Sequence, residues 1–295
     1  MTAPVATALT HKDFAAERAT WCPGCGDFAV LRALQESCAH LGLAPHRVVL
    51  VSGIGCSGKI TSYMGTYGVH THHGRTLPVA TGVKLANRGL TVIAAAGDGD
   101  AYGIGLNHLI HAIRRDVDLT YVIMDNGVYG NTKGQTSPTT APGTLTPSSP
   151  RGAVDEPVHP LRLALAAGAT YLAQGSSGDP AQLTRLVERG IAHRGFALVN
   201  VISPCPTYDR VRTYAWWRER LHNVDADPAY DAGDARAAWE IVGARDTDVI
   251  GLLYRAPRRA LDERLPGFAA APLAAEPLRP DVDRVRRILD DEYGL

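Results

Sequence analysis

The sequence predicts an α/β fold in which a parallel sheet is flanked by helices. Three observations lead there. Short runs rich in valine, isoleucine and leucine recur at residues 47–52, 90–96 and 119–124. Each stops at a turn signal: Gly53, Gly97, and Asp125-Asn126-Gly127. A segment of helical period, residues 101–115, separates the last two runs. Unbroken apolar runs of this length suit strands buried on both faces, as in parallel sheets.

In chain order, residues 28–41 read as a helix that carries Cys38. Residues 47–52 are the first strand, and 53–58 a glycine-rich loop. Residues 90–96 are the next strand. In 101–115, Ile104, Leu106, Leu109, Ile110 and Ile113 recur near helical spacing, and Arg114-Arg115 suit the negative end of a helix dipole. Residues 119–124 complete a β-α-β unit, so its two strands should run parallel and lie next to each other or nearly so. Residues 132–158 are rich in Pro, Thr, Ser and Gly and read as a long loop, a length usually kept for function. Residues 161–169 and 180–193 read as helices. Residues 197–202 are a strand ending at Ser203-Pro204-Cys205-Pro206. Residues 1–205 are expected to form one binding domain. Residues 206–295, denser in Arg, Asp, Ala and Pro, read as a C-terminal segment packing on it and on a partner, with an extended arm at 269–280.

Composition narrows the function. A chain of 295 residues, 45% hydrophobic, can bury one large core. Lys+Arg and Asp+Glu are equal at 30 each, so bulk charge recruits no nucleic acid. No apolar run approaches the ~18 residues of a membrane span. Residues 1–21 lack the basic start and apolar stretch of a secretory signal, so the cytoplasm is expected. Five cysteines in a chain this large argue against a disulfide framework, and Cys22-x-x-Cys25 points instead to a metal, a cluster or redox chemistry.

Asp98 and Asn126 fall just past the carboxyl ends of neighbouring strands, the edge where open α/β sheets bind ligands. A carboxylate and an amide oxygen there suit magnesium, which takes oxygen ligands and commonly bridges phosphates. Gly97 and Gly99 allow close backbone approach, and the following helix offers amide donors to an anion. Gly97-Asp98-Gly99 followed by Asn126 resembles the motif of thiamine diphosphate enzymes. That resemblance adds the backbone carbonyl of Val128 to the magnesium ligands.

Cys22 and Cys25 share one tight loop, Cys56 lies in the glycine-rich loop, and Cys205 sits between prolines at a strand end. Four thiolates so placed suit a cubane iron–sulfur cluster or a structural zinc, and spacing alone slightly favours zinc. The neighbouring chemistry favours the cluster: a 2-oxo acid decarboxylated on thiamine leaves an electron-rich species, and a cluster accepts single electrons where zinc does not. Cys38 reads as a buried core residue.

The chain is similar to the β subunit of the two-subunit 2-oxoacid:ferredoxin oxidoreductases, particularly the 2-oxoglutarate type. The carriers are Trp21-Cys22-Pro23-Gly24-Cys25-Gly26-Asp27, Gly53-Ile54-Gly55-Cys56-Ser57-Gly58-Lys59, His73-Gly74-Arg75, Pro78-Val79-Ala80-Thr81-Gly82 with Lys84-Leu85-Ala86-Asn87, Gly97-Asp98-Gly99-Asp100, Asp125-Asn126 and Thr132-Lys133-Gly134-Gln135. The resemblance implies a thiamine diphosphate-binding fold and one [4Fe-4S] cluster on Cys22, Cys25, Cys56 and Cys205. It implies thiamine contacts from Ile54, Gly55, Cys56, Ser57, His73, Gly97, Gly99, Asp100, Gly130 and Asn131. Lys59 matches a lysine that recognises the substrate carboxylate, so Lys59, His73 and Asn131 are the candidate catalytic residues. Asn131 departs from the family's usual leucine or methionine and offers an amide to a polar substrate tail.

What the resemblance implies is CoA-dependent oxidative decarboxylation of a 2-oxo acid, foremost 2-oxoglutarate, to an acyl-CoA and carbon dioxide. Electrons leave through the cluster to ferredoxin, and the reaction can run in reverse with a sufficiently reducing ferredoxin. The glutamate that activates thiamine has no candidate here. An α subunit is expected to supply it with most of the coenzyme A site, in an α2β2 assembly. Two other readings are a non-redox thiamine-dependent decarboxylase or carboligase with structural zinc, and an iron–sulfur carrier in which Asp98 and Asn126 are turn residues.

Overall fold

The computed structural model describes residues 8–245, 248–265, 272–275 and 281–294. Its strands are β1 (Val48–Ser52), β2 (Tyr67–His70), β3 (Thr91–Gly97), β4 (Leu119–Asp125), β5 (Val128–Tyr129), β6 (Gln135–Thr136), β7 (Tyr171–Ser176), β8 (Phe196–Ile202), β9 (His222–Asn223) and β10 (Val249–Arg255). Its helices are α1 (Asp27–His40), α2 (Ile60–Tyr63), α3 (Thr76–Ala86), α4 (Leu106–Arg115), α5 (Pro160–Ala166), α6 (Pro180–Ile191), α7 (Tyr214–Arg218), α8 (Ala235–Arg245), α9 (Leu261–Arg264) and α10 (Val282–Tyr293).

Among the described residues one eight-stranded sheet runs in the order β2-β1-β3-β4-β8-β7-β10-β9, and β5 pairs with β6 as a small hairpin. The pairs from β2 through β7 are parallel, and β10 joins β7 antiparallel. The β3-α4-β4 unit is as expected: β3 and β4 are parallel neighbours.

Alternate strand residues face opposite layers. Leu50, Ile93, Ala95, Val122 and Val199 pack with Leu34 of α1 and Leu186 of α6. Val49, Val51, Ala94, Tyr121 and Ile123 pack with Leu77 of α3, Leu109 of α4 and Val242 of α8. Cover on both faces explains why β1, β3 and β4 carry no polar alternation.

Of the strands absent from the sequence reading, β5, β6 and β9 are two-residue pairings, and the three longer ones carry residues that hide the pattern. β2 is exposed along its whole length at the sheet edge. β7 contains Gln174, which is fully buried because its Nε2 donates to Val249 O at 2.7 Å and its Oε1 accepts from Asn200 Nδ2 at 2.7 Å. β10 is interrupted by Gly251 at φ +122°. Residues beyond 205 therefore supply two strands of the same sheet. The expected helix over 101–115 is also divided. A wide turn covers Gly99–Ile104, Gly103 breaks it at φ −84°, ψ −110°, and α4 starts at Leu106. Most of the expected arm over 269–280 lies outside the described residues, and within it Leu273–Ala275 form one 3-10 turn. Among the described residues, no helix is long and apolar enough to cross a membrane.

Candidate active site

The carboxyl ends of β1, β3 and β4 open onto one cleft of about 510 Å³. Ile54, Gly55, Cys56 and Ser57 line it from the loop after β1; Gly97, Asp98, Gly99 and Asp100 from the end of β3; Asn126, Val128, Gly130 and Asn131 from beyond β4; and His73 from a separate loop. Among its lining residues there is no glutamate.

Asp98 is 1% exposed at the head of the turn after β3. Its Oδ2 accepts from Thr139 Oγ1 at 2.8 Å and from Ser137 Oγ, and its Oδ1 accepts only from Asn126 N at 3.4 Å. Asn126 Oδ1 accepts from Val128 N at 3.0 Å, which shapes the turn after β4. Thr139 Oγ1 also lies 2.8 Å from Asp125 Oδ1. Burial raises Asp98, and burial with the Asp98 charge pushes Asp125 up to about 7. Two buried carboxylates share one hydroxyl proton, and the Arg212 charge bears on Asp125 without cancelling the rise, so a divalent cation at Asp98 fits this donor set.

A pH dependence follows. Asp125 binds its proton more tightly folded than unfolded, so its stabilising contribution is full below its ordinary value of 3.8 and is lost as pH rises through about 7. Denaturant midpoints of the metal-free chain should fall between pH 5 and 8, and magnesium with thiamine diphosphate should help most at the alkaline end. A flat or rising midpoint would contradict this.

The two glycines around Asp98 differ in what crowds them. A β-carbon on Gly97 would lie 3.0 Å from Ser57 Oγ, and one on Gly99 would lie 2.2 Å from Tyr129 Cε1. Tyr129, absent from the residues picked out by sequence, donates from Oη to Gly99 O at 3.0 Å. Gly99→Ala must displace that ring, so thiamine diphosphate affinity is expected to fall at least about tenfold, ~1.4 kcal/mol. Titration calorimetry of the depleted complex checks it; unchanged affinity would refute the close-approach argument.

Asp100 joins three loops. It accepts from Gly74 N at 2.8 Å, Ile54 N at 3.2 Å and Thr76 Oγ1 at 3.3 Å. His73 Nδ1 lies 2.8 Å from Asp100 Oδ1 without hydrogen-bond alignment. Asp100 thus braces the cleft wall as well as lining it. His70 Nδ1 lies 3.0 Å from Ser52 Oγ and 3.1 Å from Gly58 O, a packing role. Lys59 is exposed and does not line the cleft, yet its charge reaches the Cys56 thiol and opposes the rise caused by burial.

Cys56 lines the cleft, and the other three cysteines of the sequence-predicted set lie on loops near it, each bearing electrostatically on at least one of the others. Cys25 N donates to Cys22 O at 3.1 Å, and Gly26 N to Pro204 O at 3.2 Å, docking their loop on the end of β8. A β-carbon on Gly130 would lie 3.7 Å from Cys56 Sγ and 3.8 Å from Cys205 Sγ. Trp21 Nε1 donates to Cys56 O at 2.7 Å. Burial, first, and then the charges of Asp27 and neighbouring cysteines push the Cys25 and Cys56 thiols up; Cys205 is raised by burial, with Asp27 and Cys22 adding to it. Thiols whose charges bear on one another resist ionising together, and a cation shared among them would relieve that repulsion. Among the described residues no three His, Cys, Asp or Glu side chains converge tightly enough to hold a single metal ion. Cys38 is fully buried in α1, as expected, and burial pushes its thiol up to about 12.

Asp27, Tyr129, Ser137 and Thr139 are the residues the candidate set left out. Asp27 is buried, accepts from Ser203 Oγ at 2.8 Å, and is pushed up by burial to about 6. Its only sequence signal is its place directly after Cys25-Gly26.

The chain is similar to known proteins in sequence and in fold. Residues 53–201 match the family model of the thiamine pyrophosphate enzyme C-terminal TPP-binding domain, thiamine pyrophosphate being thiamine diphosphate. Residues 205–270 match the model for the C terminal of the pyruvate ferredoxin oxidoreductase beta subunit. The 2-oxoacid:ferredoxin oxidoreductase subunit beta of Saccharolobus solfataricus is 47% identical over 213 residues, 72% of this chain and 70% of that protein. The subunit beta of 2-oxoacid:ferredoxin oxidoreductase 2 from Aeropyrum pernix is 40% identical over 270 residues, 86% of this chain and 87% of that protein. In three dimensions the chain is similar to the 2-oxoglutarate:ferredoxin oxidoreductase of Magnetococcus marinus, solved with 2-oxoglutarate, coenzyme A and succinyl-CoA bound. The TM-score is 0.88 at 36% identity, covering 96% of each chain.

Proposed function

The chain belongs to the thiamine-dependent 2-oxoacid:ferredoxin oxidoreductases as a β subunit, and from that membership we propose that it serves the CoA-dependent oxidation of 2-oxoglutarate to succinyl-CoA and carbon dioxide. The observation that carries the proposal is the nearness of two sites: Cys56 and Gly130 line the cleft, and a β-carbon on Gly130 would meet both Cys56 Sγ and Cys205 Sγ. The bound substrates in the Magnetococcus marinus structure support the choice of 2-oxo acid.

Asp98, the Asn126 side chain and the Val128 carbonyl hold magnesium in this reading, and Gly97, Gly99, Gly130, Ile54 to Ser57 and His73 enclose thiamine diphosphate. Cys22, Cys25, Cys56 and Cys205 hold a [4Fe-4S] cluster. Bound thiamine supplies the electron sink for decarboxylation, and the cluster supplies one-electron acceptance. The residues of this chain do the rest. Asp98 balances cation charge against the diphosphate. Asp100 fixes the three loops around the ring. Asn131 presents an amide to the substrate tail from the cleft wall, and Lys59 lies outside that wall, where its charge draws an anionic substrate or steadies a thiolate. With no glutamate in the cleft wall, thiamine activation falls to the α subunit, in an α2β2 assembly that passes electrons to ferredoxin. The relatives are ferredoxin-linked, so the non-redox reading with structural zinc is not retained.

Anaerobic purification of the co-expressed pair tests this. The expected sample is brown, holds about four irons per β chain, contains thiamine diphosphate, and reduces ferredoxin with 2-oxoglutarate and coenzyme A faster than with pyruvate. A colourless, zinc-loaded complex would overturn the cluster assignment, and turnover by the isolated chain would overturn the shared active site.

A further inference from the structure

We propose that Ser137 and Thr139 are positioning residues for the metal carboxylate: their hydroxyls pin one oxygen of Asp98 and leave the other for the cation. The proposal rests on the reading of Asp98 as a magnesium ligand and extends it to the long loop after β6.

Both hydroxyls go to the same atom. Ser137 Oγ donates to Asp98 Oδ2, and Thr139 Oγ1 lies 2.8 Å from that oxygen and equally 2.8 Å from Asp125 Oδ1, so its one proton is shared between the two carboxylates. Asp98 Oδ1 keeps a single weak partner, Asn126 N at 3.4 Å. A carboxylate has about four acceptor positions, so Oδ1, with one weak partner, retains more acceptor capacity than Oδ2, which faces two hydroxyls. Rotation of the carboxylate would give up both hydroxyl contacts at a buried oxygen.

The clamp is itself held to both strand ends. Thr140 Oγ1 accepts from Ser137 N at 2.7 Å and donates to Gly127 O at 2.7 Å, in the turn that carries Asn126. Val158 N donates to Pro138 O at 2.8 Å and closes the neck of the loop. Pro138 fixes the backbone between the two hydroxyls. Ser137, Pro138, Thr139 and Thr140 therefore span the end of β3, which bears Asp98, and the end of β4, which bears Asn126. A loop needed only to connect β6 with α5 has no reason to commit three hydroxyls to those two ends. Partners that orient a metal ligand are commonly worth 10–100-fold in metal affinity.

The test uses the co-expressed complex stripped of thiamine diphosphate and magnesium, with manganese(II) as the probe and free manganese read by its paramagnetic resonance signal in saturating thiamine diphosphate. Thr139→Val should weaken manganese binding about 10–100-fold. Thr139→Ser should restore it close to the native value, and the cluster's visible spectrum should not change in either. Ser137→Ala, with a smaller change in shape, should show the same weakening and guards against misfolding of the valine variant. Native-like manganese affinity in Thr139→Val and Ser137→Ala would overturn the clamp, as would equal weakening by valine and serine at 139, which indicates packing alone. Failure of the unmodified complex to bind manganese at all would instead sink the magnesium reading of Asp98, and the clamp with it.

Discussion

Asp98→Asn is expected to lower kcat/KM for the 2-oxo acid at least about 10³-fold, ~4 kcal/mol of transition-state stabilisation, while making the metal-free chain more stable. The loss has a direct cause. If Asp98 holds magnesium as proposed, an amide in place of the carboxylate would remove a buried anionic ligand, and the diphosphate charge would be poorly balanced. The gain comes from the same electrostatics. Asp98 raises Asp125, so its removal lets the Asp125 carboxylate ionise at lower cost. The loss of stability between pH 5 and 8 should therefore shrink in Asp98→Asn. Asparagine keeps an oxygen for the hydroxyls of Ser137 and Thr139 and nearly the same volume, so the buried contacts survive. Steady-state assay of the complex and denaturant unfolding of metal-free chain at pH 8 give the two readouts. Near-native turnover would remove Asp98 from the metal site, and a less stable metal-free variant would show that the buried pair is not repulsive.

Opposite signs for function and stability would mark a position chosen for its ligand, not for the fold. Sequence made this position legible because the signal is local. A buried strand, a glycine, an acid and a second glycine stand together at residues 91–99, and the next strand brings Asn126 to the same edge. The cysteines were legible as types and turns, though nothing in their spacing decides between iron and zinc. What stayed hidden depends on distant partners. Ser137 and Thr139 reach Asp98 across 39 and 41 residues, from a stretch whose composition announces only a loop. Tyr129 follows from Gly99 only once the β5–β6 hairpin folds over the turn. β7 escaped because Gln174 looks solvated until Asn200 and Val249 satisfy it. The break at Gly103 is a backbone event inside an otherwise helical apolar pattern, and periodicity does not register ψ.

Cys205→Ala is expected to leave the complex without its cluster, so iron falls close to zero and ferredoxin reduction drops at least about 10²-fold, ~2.7 kcal/mol. The contrast is Cys38→Ala, which should keep its iron and lose about 1 kcal/mol of stability as an ordinary core truncation. Burial raises both thiols, so burial alone does not separate them. What separates them is company. Other cysteines and Asp27 bear on Cys205, whereas Cys38 is raised by burial alone. A group of thiols that hinder one another's ionisation gains most from a cation that takes up several thiolates together, and metal binding must expel their protons. The backbone around residue 205 does not depend on the sulfur: Asp209 N donates to its carbonyl at 2.9 Å, a bond that alanine retains. Asp98 and Asn126 lie on other strand ends, so Cys205→Ala should still bind thiamine diphosphate with near-native affinity. Iron analysis, the visible spectrum and cofactor titration on one preparation of each variant decide it. Cys205→Ala protein that stays brown, or Cys38→Ala protein that loses its iron, would break the assignment. Loss of thiamine diphosphate together with iron would mean that cluster and cleft form one inseparable unit, with Gly130, where a β-carbon would meet Cys56 and Cys205, as the point where they join.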